Sequence, residues 1–126
     1  MKKELFIIFL ILVFVIVGDF FVQKYVHESF DTISNSLREL QSNPQYSNEQ
    51  KNKIIDEMNM FWNNRFEKLT CIVEHSEVEK IKNGLISVSA GIDTGDDNYV
   101  YQEVEKTIYA IEHLEDKQTL KLYNIF

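Results

Sequence analysis

The stretch LFIIFLILVFVIVGDFFVQKYVHESFDTISNSLREL, residues 5–40, decides the fold. Its first half is apolar on every side. Residues 5–17 carry no polar side chain, Gly18 and Asp19 interrupt them, and Phe20, Phe21 and Val22 resume the run. As a helix, residues 5–22 span about 27 Å at roughly 1.5 Å per residue, close to the ~30 Å hydrocarbon core of a bilayer. The second half is patterned differently. Val26, Phe30, Ile33, Leu37 and Leu40 recur at spacings of four and three, which is one apolar stripe of an amphipathic helix. No helix breaker separates the halves, so the spacing predicts one rod from about Glu4 to Gln41.

Lys2 and Lys3 precede the apolar run and, by the positive-inside rule, place residues 1–4 in the cytoplasm and everything after residue 22 outside. Asp19 then falls near the outer interface, within reach of water. A cleaved signal peptide is the competing reading, since thirteen residues is an ordinary apolar core for one. Gly18 could serve at the cut, but Ile16 two places earlier is bulky, and no cysteine follows to carry a lipoprotein anchor. A soluble helix is disfavoured because residues 5–17 have no polar face. The expected division is an uncleaved membrane anchor over residues 1–22 and an extracytoplasmic domain over residues 23–126.

The chain has 13 Lys and Arg against 20 Asp and Glu, for a formal charge of −7. Two of each sign lie in the first 22 residues, so the whole acidic excess belongs to the rest of the chain. An acidic body repels nucleic-acid phosphates and anionic headgroups, and no basic stripe offsets it. Cys71 is the sole cysteine, which rules out an internal disulfide and a cysteine-based structural zinc site. The fold has to hold by packing.

Beyond residue 41, Ser42, Asn43 and Pro44 break the helix, and Ser47 with Gln50 forms a capping-box pattern that starts a second helix near Asn48. Its buried face is expected to carry Ile54, Met58, Phe61 or Trp62, Arg65 or Phe66, Leu69 and Val73. Ser76 and Glu79 repeat the capping-box spacing. A third helix should therefore begin near Glu77 and bury Val78, Ile81, Leu85, Val88 and Ile92. Gly84 and Gly91 weaken it by roughly 1 kcal/mol each relative to alanine, but allow a neighbouring helix to come close. The turn Thr94-Gly95-Asp96-Asp97-Asn98 leads into a fourth helix burying Val100, Val104, Ile108, Ile111 and Leu114. Short connections make successive helices antiparallel neighbours. The fold class is all-α: a transmembrane N-terminal helix that continues into an antiparallel bundle of about four helices.

Candidate chemistry is sparse. His75 and Glu77 make an H-x-E pair of the kind zinc deaminases use, but the P-C-x-x-C element that completes such a site is missing. A looser metal site from His75, Glu77, Glu79 and His113 is a weak candidate. The plainer reading has Ser76 capping the third helix and His75 closing the second. Cys71 and His75, four apart, could share a helix face as a thiolate–imidazole pair, though nothing supplies an orienting third group; a buried, inert thiol is the simpler expectation. Asp93, Asp96, Asp97 and Asn98 miss the EF-hand spacing and read as turn and cap. Trp62, Phe61 and Phe66 read as core. No G-x-S-x-G, P-loop or H-E-x-x-H motif occurs. No cofactor and no small-molecule ligand is expected.

The order of an N-terminal anchor, a helix carrying Trp62, the junction His75-Ser76-Glu77, a helical hairpin and the closing Asn124-Ile125-Phe126 resembles a bacterial family, the domain of unknown function 4363, found mainly in spore-forming Firmicutes. The resemblance covers essentially the whole chain, and its most specific parts are the H-S-E junction and the terminal N-I-F. Sparse tryptophan and the turn containing Gly95 depart from the family's pattern without contradicting its architecture. The resemblance implies the anchor and the helical fold and supplies no mechanism. Together these features suggest a non-enzymatic accessory or interaction module of the cell envelope, with Trp62, His75, Ser76, Glu77 and the terminal tripeptide in structural or interaction roles and an envelope protein or a second copy as partner. The alternatives are a metal-binding protein or enzyme centred on His75, Glu77 and Glu79, and an extracytoplasmic ligand-sensing bundle. For the apolar tail at residues 120–126, docking on the bundle is the simplest expectation.

Overall fold

A computed structural model describes residues 1–125, with the side chains of residues 1–118. Four helices follow one another: α1 (Lys2–Ser42), α2 (Asn48–Ile72), α3 (His75–Thr94) and α4 (Asp97–Ile125). Each packs on its neighbour in sequence, and α4 closes back onto α1, so residues 23–118 form a ring of four antiparallel helices around one core. The all-α bundle expected from the apolar periodicity is the fold observed. Asn124 and Ile125 are the last residues of α4, but their side chains, Phe126 and with them the expected docking of the tail lie outside the described residues.

α1 is a single helix of 41 residues, about 60 Å long. The five positions of its predicted stripe, Val26, Phe30, Ile33, Leu37 and Leu40, are all buried, joined by Ser29 and Ser34. Along its first half, the large apolar side chains of residues 5–17 and 20–22 are exposed. At the other end, the Asn43 side-chain amide donates to Glu39 O at 2.9 Å, and Pro44 prevents continuation.

The Ser47 capping box forms as read. Gln50 N donates to Ser47 Oγ at 3.2 Å, and Ser47 N donates to Gln50 Oε1 at 3.0 Å. On α2 the buried residues are Lys51, Ile55, Met58, Trp62 and Leu69, and Val73 follows as the C-cap. Ile55 rather than Ile54 enters the core, and Phe61, Arg65 and Phe66 are half-buried on its edge. An i, i+3, i+4, i+7 face running from Lys51 through Ile55, Met58 and Trp62 to Leu69 selects Ile55; from the sequence, either isoleucine could have continued the stripe.

The second capping box does not form. Val73 is extended (φ −114°, ψ 153°), and Glu74 becomes the N-cap of α3, its carbonyl accepting from Glu77 N and Val78 N. The helix therefore starts at His75, and Ser76, already inside the first turn, donates its hydroxyl to Glu74 Oε1 at 3.0 Å. His75 opens α3 instead of closing α2. At the far end of α3, Gly95 is left-handed (φ 73°). Its N–H reaches Ile92 O, and Asp96 N reaches Gly91 O, the paired bonds of a Schellman motif that only a residue without a Cβ closes at no strain. The Asp96 side chain then accepts from Tyr99 N at 3.1 Å and starts α4.

The α3–α4 seam is the tightest. A Cβ on Gly84 would overlap the Thr107 side chain, and one on Gly91 would lie 2.8 Å from both Tyr99 Cδ1 and Val100 Cγ2. The two glycines thus give the close approach anticipated for them.

Candidate functional site

Polar chemistry gathers at the end of the bundle where α1 enters, beside the α2–α3 junction and the second half of α4. Three groups of side chains make up this base.

The first clamps α1 to α2. Arg65 Nη1 donates to Ser29 Oγ at 2.9 Å, and Ser29 Oγ donates to Tyr25 O at 2.7 Å. The guanidinium also lies over the Tyr25 ring at 4.7 Å and the Phe61 ring at 4.5 Å. Two aromatic faces and a hydroxyl thus satisfy a cation at the core's edge. Just beyond it, Phe21, Val22, Tyr25, Lys68, Cys71 and Ile72 line an open, mostly apolar groove of about 440 Å³. Cys71 is exposed, contrary to the expectation of a buried thiol. Position 71 is two residues past the buried Leu69 and two before Val73, so the helical period turns it outward.

The second group surrounds Glu77. Its side chain is only 8% exposed, and its carboxylate accepts from Lys117 Nζ at 3.1 Å and Lys80 Nζ at 3.4 Å. The bond from Lys117, outweighing burial, holds the carboxyl below its ordinary value, and the charges of Lys117 and Lys80 act in the same direction. His75 and Glu79, two residues to either side of Glu77, project from the opposite face of α3, where His75 Nε2 lies 3.3 Å from Glu79 Oε1. The His75 ring also meets Phe66 edge-on, with centroids 6.2 Å apart. His113 stacks on Tyr109, with centroids 6.3 Å apart and planes within 4°. His75, Glu77, Glu79 and His113 therefore do not converge: Glu77 is taken by two lysines, and each histidine has its own neighbour. Trp62 is fully buried against Phe66, as a core residue should be, but its Nε1 has no hydrogen-bond partner among the described residues.

The third group, on the α1–α4 seam, escaped the sequence reading. His27 and Asp31, one turn apart on α1, meet Glu115 of α4, with one donor atom from each within 4.8 Å of the others. His27 Nε2 and Asp31 Oδ2 are 3.7 Å apart. Burial raises the Glu115 carboxyl above its ordinary value; His27 opposes this, while Asp31, Glu112 and Asp116 add to it. The only sequence signal was the i,i+4 pair on α1, because the third member comes from a helix at the other end of the chain. Higher on the same seam, Arg38 pairs with Glu112 at 3.1 Å and the Gln41 amide donates to Glu105.

A family model described as domain of unknown function (DUF4363) matches residues 20–125, which is the bundle and the last turn of the apolar segment. No curated protein and no solved structure matches the chain.

Proposed function

The chain belongs to the DUF4363 family, and from that premise we propose that it is a membrane-tethered, non-enzymatic accessory module whose helical bundle meets another envelope protein or a second copy of itself outside the membrane. The carrying observation is the first half of α1. Its most apolar 18-residue window is 0% buried, although the same helix continues directly into the core. A core helix of a soluble protein would bury such a surface, and leaving it in water exposes an apolar band far larger than monomers tolerate. A bilayer is the solvent that fits its length. Lys2 and Lys3 favour an inside N-terminus, which puts the bundle on the extracytoplasmic side.

The non-enzymatic reading draws support from the occupied state of the candidate groups. Glu77 is engaged by Lys117 and Lys80, His75 by Glu79 and Phe66, and Cys71 faces a groove lined by Phe21, Tyr25 and Ile72. An enzyme or metal centre on His75, Glu77 and Glu79 would first have to dismantle the Glu77 ion pairs.

Fractionation and crosslinking test the proposal. The full chain should stay with membranes through an alkaline wash and be released by detergent, and crosslinking in intact membranes should trap a discrete higher-mass species. Release by alkali would remove the tether. Recovery of uncrosslinked monomer alone would remove the interaction role.

A further inference from the structure

We propose that His27, Asp31 and Glu115 form a binding site for a divalent transition-metal ion of the zinc class, which ties α1 to α4 at the base of the bundle. The inference does not depend on the membrane reading, because the three residues lie in the bundle.

The backbone already sets the geometry. Each candidate ligand adjoins a fully packed core residue: His27 follows Val26, Asp31 follows Phe30, and Glu115 follows Leu114. The core therefore fixes where the three side chains start, and only their outer torsions remain to be set. His27 and Asp31 share one face of α1 by their i,i+4 spacing, and antiparallel α4 brings Glu115 beside them. Zinc holds nitrogen and oxygen donors at about 2.0–2.1 Å, which in a tetrahedron puts donors about 3.4 Å apart. His27 Nε2 and Asp31 Oδ2 are 3.7 Å apart, and all three donor atoms fall within 4.8 Å. His27 and Asp31 are exposed and Glu115 is half-buried, so rotation of the two exposed side chains is the adjustment that binding asks for.

Donor chemistry narrows the ion. One imidazole and two carboxylates suit zinc and its first-row neighbours, whereas magnesium and calcium prefer all-oxygen shells and copper(I) prefers sulfur. Charge favours a cation as well. Two of the three donors are carboxylates, and Asp116 lies next to Glu115 in α4. Three protein donors leave a fourth position for water, and with His27 66% exposed the ion exchanges freely with solvent. Bound there, it would hold the lower part of the α1–α4 seam, below the Arg38–Glu112 and Gln41–Glu105 contacts.

The test uses the full chain, free of any histidine tag, in detergent micelles, with Zn²⁺, Co²⁺ and Mg²⁺ added separately. Titration calorimetry should show saturable Zn²⁺ binding of about one ion per chain. Zn²⁺ should raise the thermal midpoint and Mg²⁺ should not. Co²⁺ should develop the intense visible bands of a low-coordinate site. His27→Ala, Asp31→Asn and Glu115→Gln should each weaken Zn²⁺ binding by about tenfold or more and erase the midpoint shift. His75→Ala and His113→Ala should leave both unchanged. Far-UV circular dichroism identifies a variant that has lost the fold, and the conservative Asp31→Asn and Glu115→Gln changes then carry the comparison. Absence of saturable Zn²⁺ binding by the wild-type chain overturns the proposal. So does binding that survives all three ligand substitutions, or binding that follows His75 or His113 instead.

Discussion

At Glu77 and Trp62, single side chains answer to forces that the sequence around them does not reveal. Glu77 is almost enclosed yet charged, because Lys117 and Lys80 both donate to it. Its folded carboxyl titrates below the ordinary value of 4.5. The stabilisation it provides is therefore complete above that ordinary value and is lost as pH falls through the lower, folded one. Glu77→Gln should cost about 1–2 kcal/mol at neutral pH. Urea titrations should show the gap between wild type and variant closing once the pH drops below 4.5. Trp62 poses the opposite problem, an indole N–H buried without an acceptor among the described residues. Trp62→Ala leaves a large cavity and should cost about 3–5 kcal/mol. Trp62→Phe loses less volume and removes the orphaned donor, so chemical denaturation should show well under half that cost. The burial of Trp62 was legible from its place on the α2 stripe. The pairing of Glu77 was not, because Lys117 lies forty positions away on another helix. The exposure of Cys71 was legible in principle, since Leu69 and Val73 bracket it on the inward face.

At the scale of elements, helix starts and seams separate what periodicity predicts from what local competition decides. Ser47 and Ser76 head identical spacing patterns, yet only Ser47 caps. Pro44 and the turn after it leave Ser47 extended and outside α2. By contrast, Val73 ends α2 so close to Glu74 that α3 begins at once and draws Ser76 into its first turn. The stripes of α1, α3 and α4 could be read because their neighbours in sequence are polar. On α2 the apolar spacing reads Ile54 as the buried residue, but packing turns the adjacent Ile55 inward instead. The α3–α4 seam yields a sharper prediction. In an open helix Gly84→Ala would stabilise by roughly 1 kcal/mol. Here the new Cβ meets Thr107, whose hydroxyl is bonded to Glu103 O at 2.7 Å and whose side chain is buried. We expect Gly84→Ala to destabilise by about 1–3 kcal/mol. Adding Thr107→Ala should recover much of that loss in a double-mutant cycle. A gain in stability from Gly84→Ala alone would mean that the helices can separate freely.

For the whole molecule, a compact bundle with its own core shares one uninterrupted helix with a segment whose apolar side chains stay exposed. The bundle was legible almost entirely from apolar spacing. The family resemblance, carried by short motifs at the α2–α3 junction and the chain's end, holds as membership over residues 20–125. Candidate sites were less legible, because each depends on helices that meet only after folding. His27 and Asp31 sit in plain view on α1, but Glu115 joins them only through the return of α4. The proposed tether makes α1 a rigid spacer that sets the base of the bundle at the membrane surface and points the whole domain outward. Cys71, the sole cysteine and exposed, provides a native reporter of that arrangement. Intact cells would be treated with a membrane-impermeant maleimide, using wild type, Cys71→Ser, and Cys71→Ser combined with Ala90→Cys toward the far end of α3. A tethered, outward-facing bundle predicts labelling before lysis of the wild type and of the Ala90→Cys chain, none of Cys71→Ser alone, and an intact-chain mass that retains residues 1–22. Labelling of both cysteines only after lysis would contradict it.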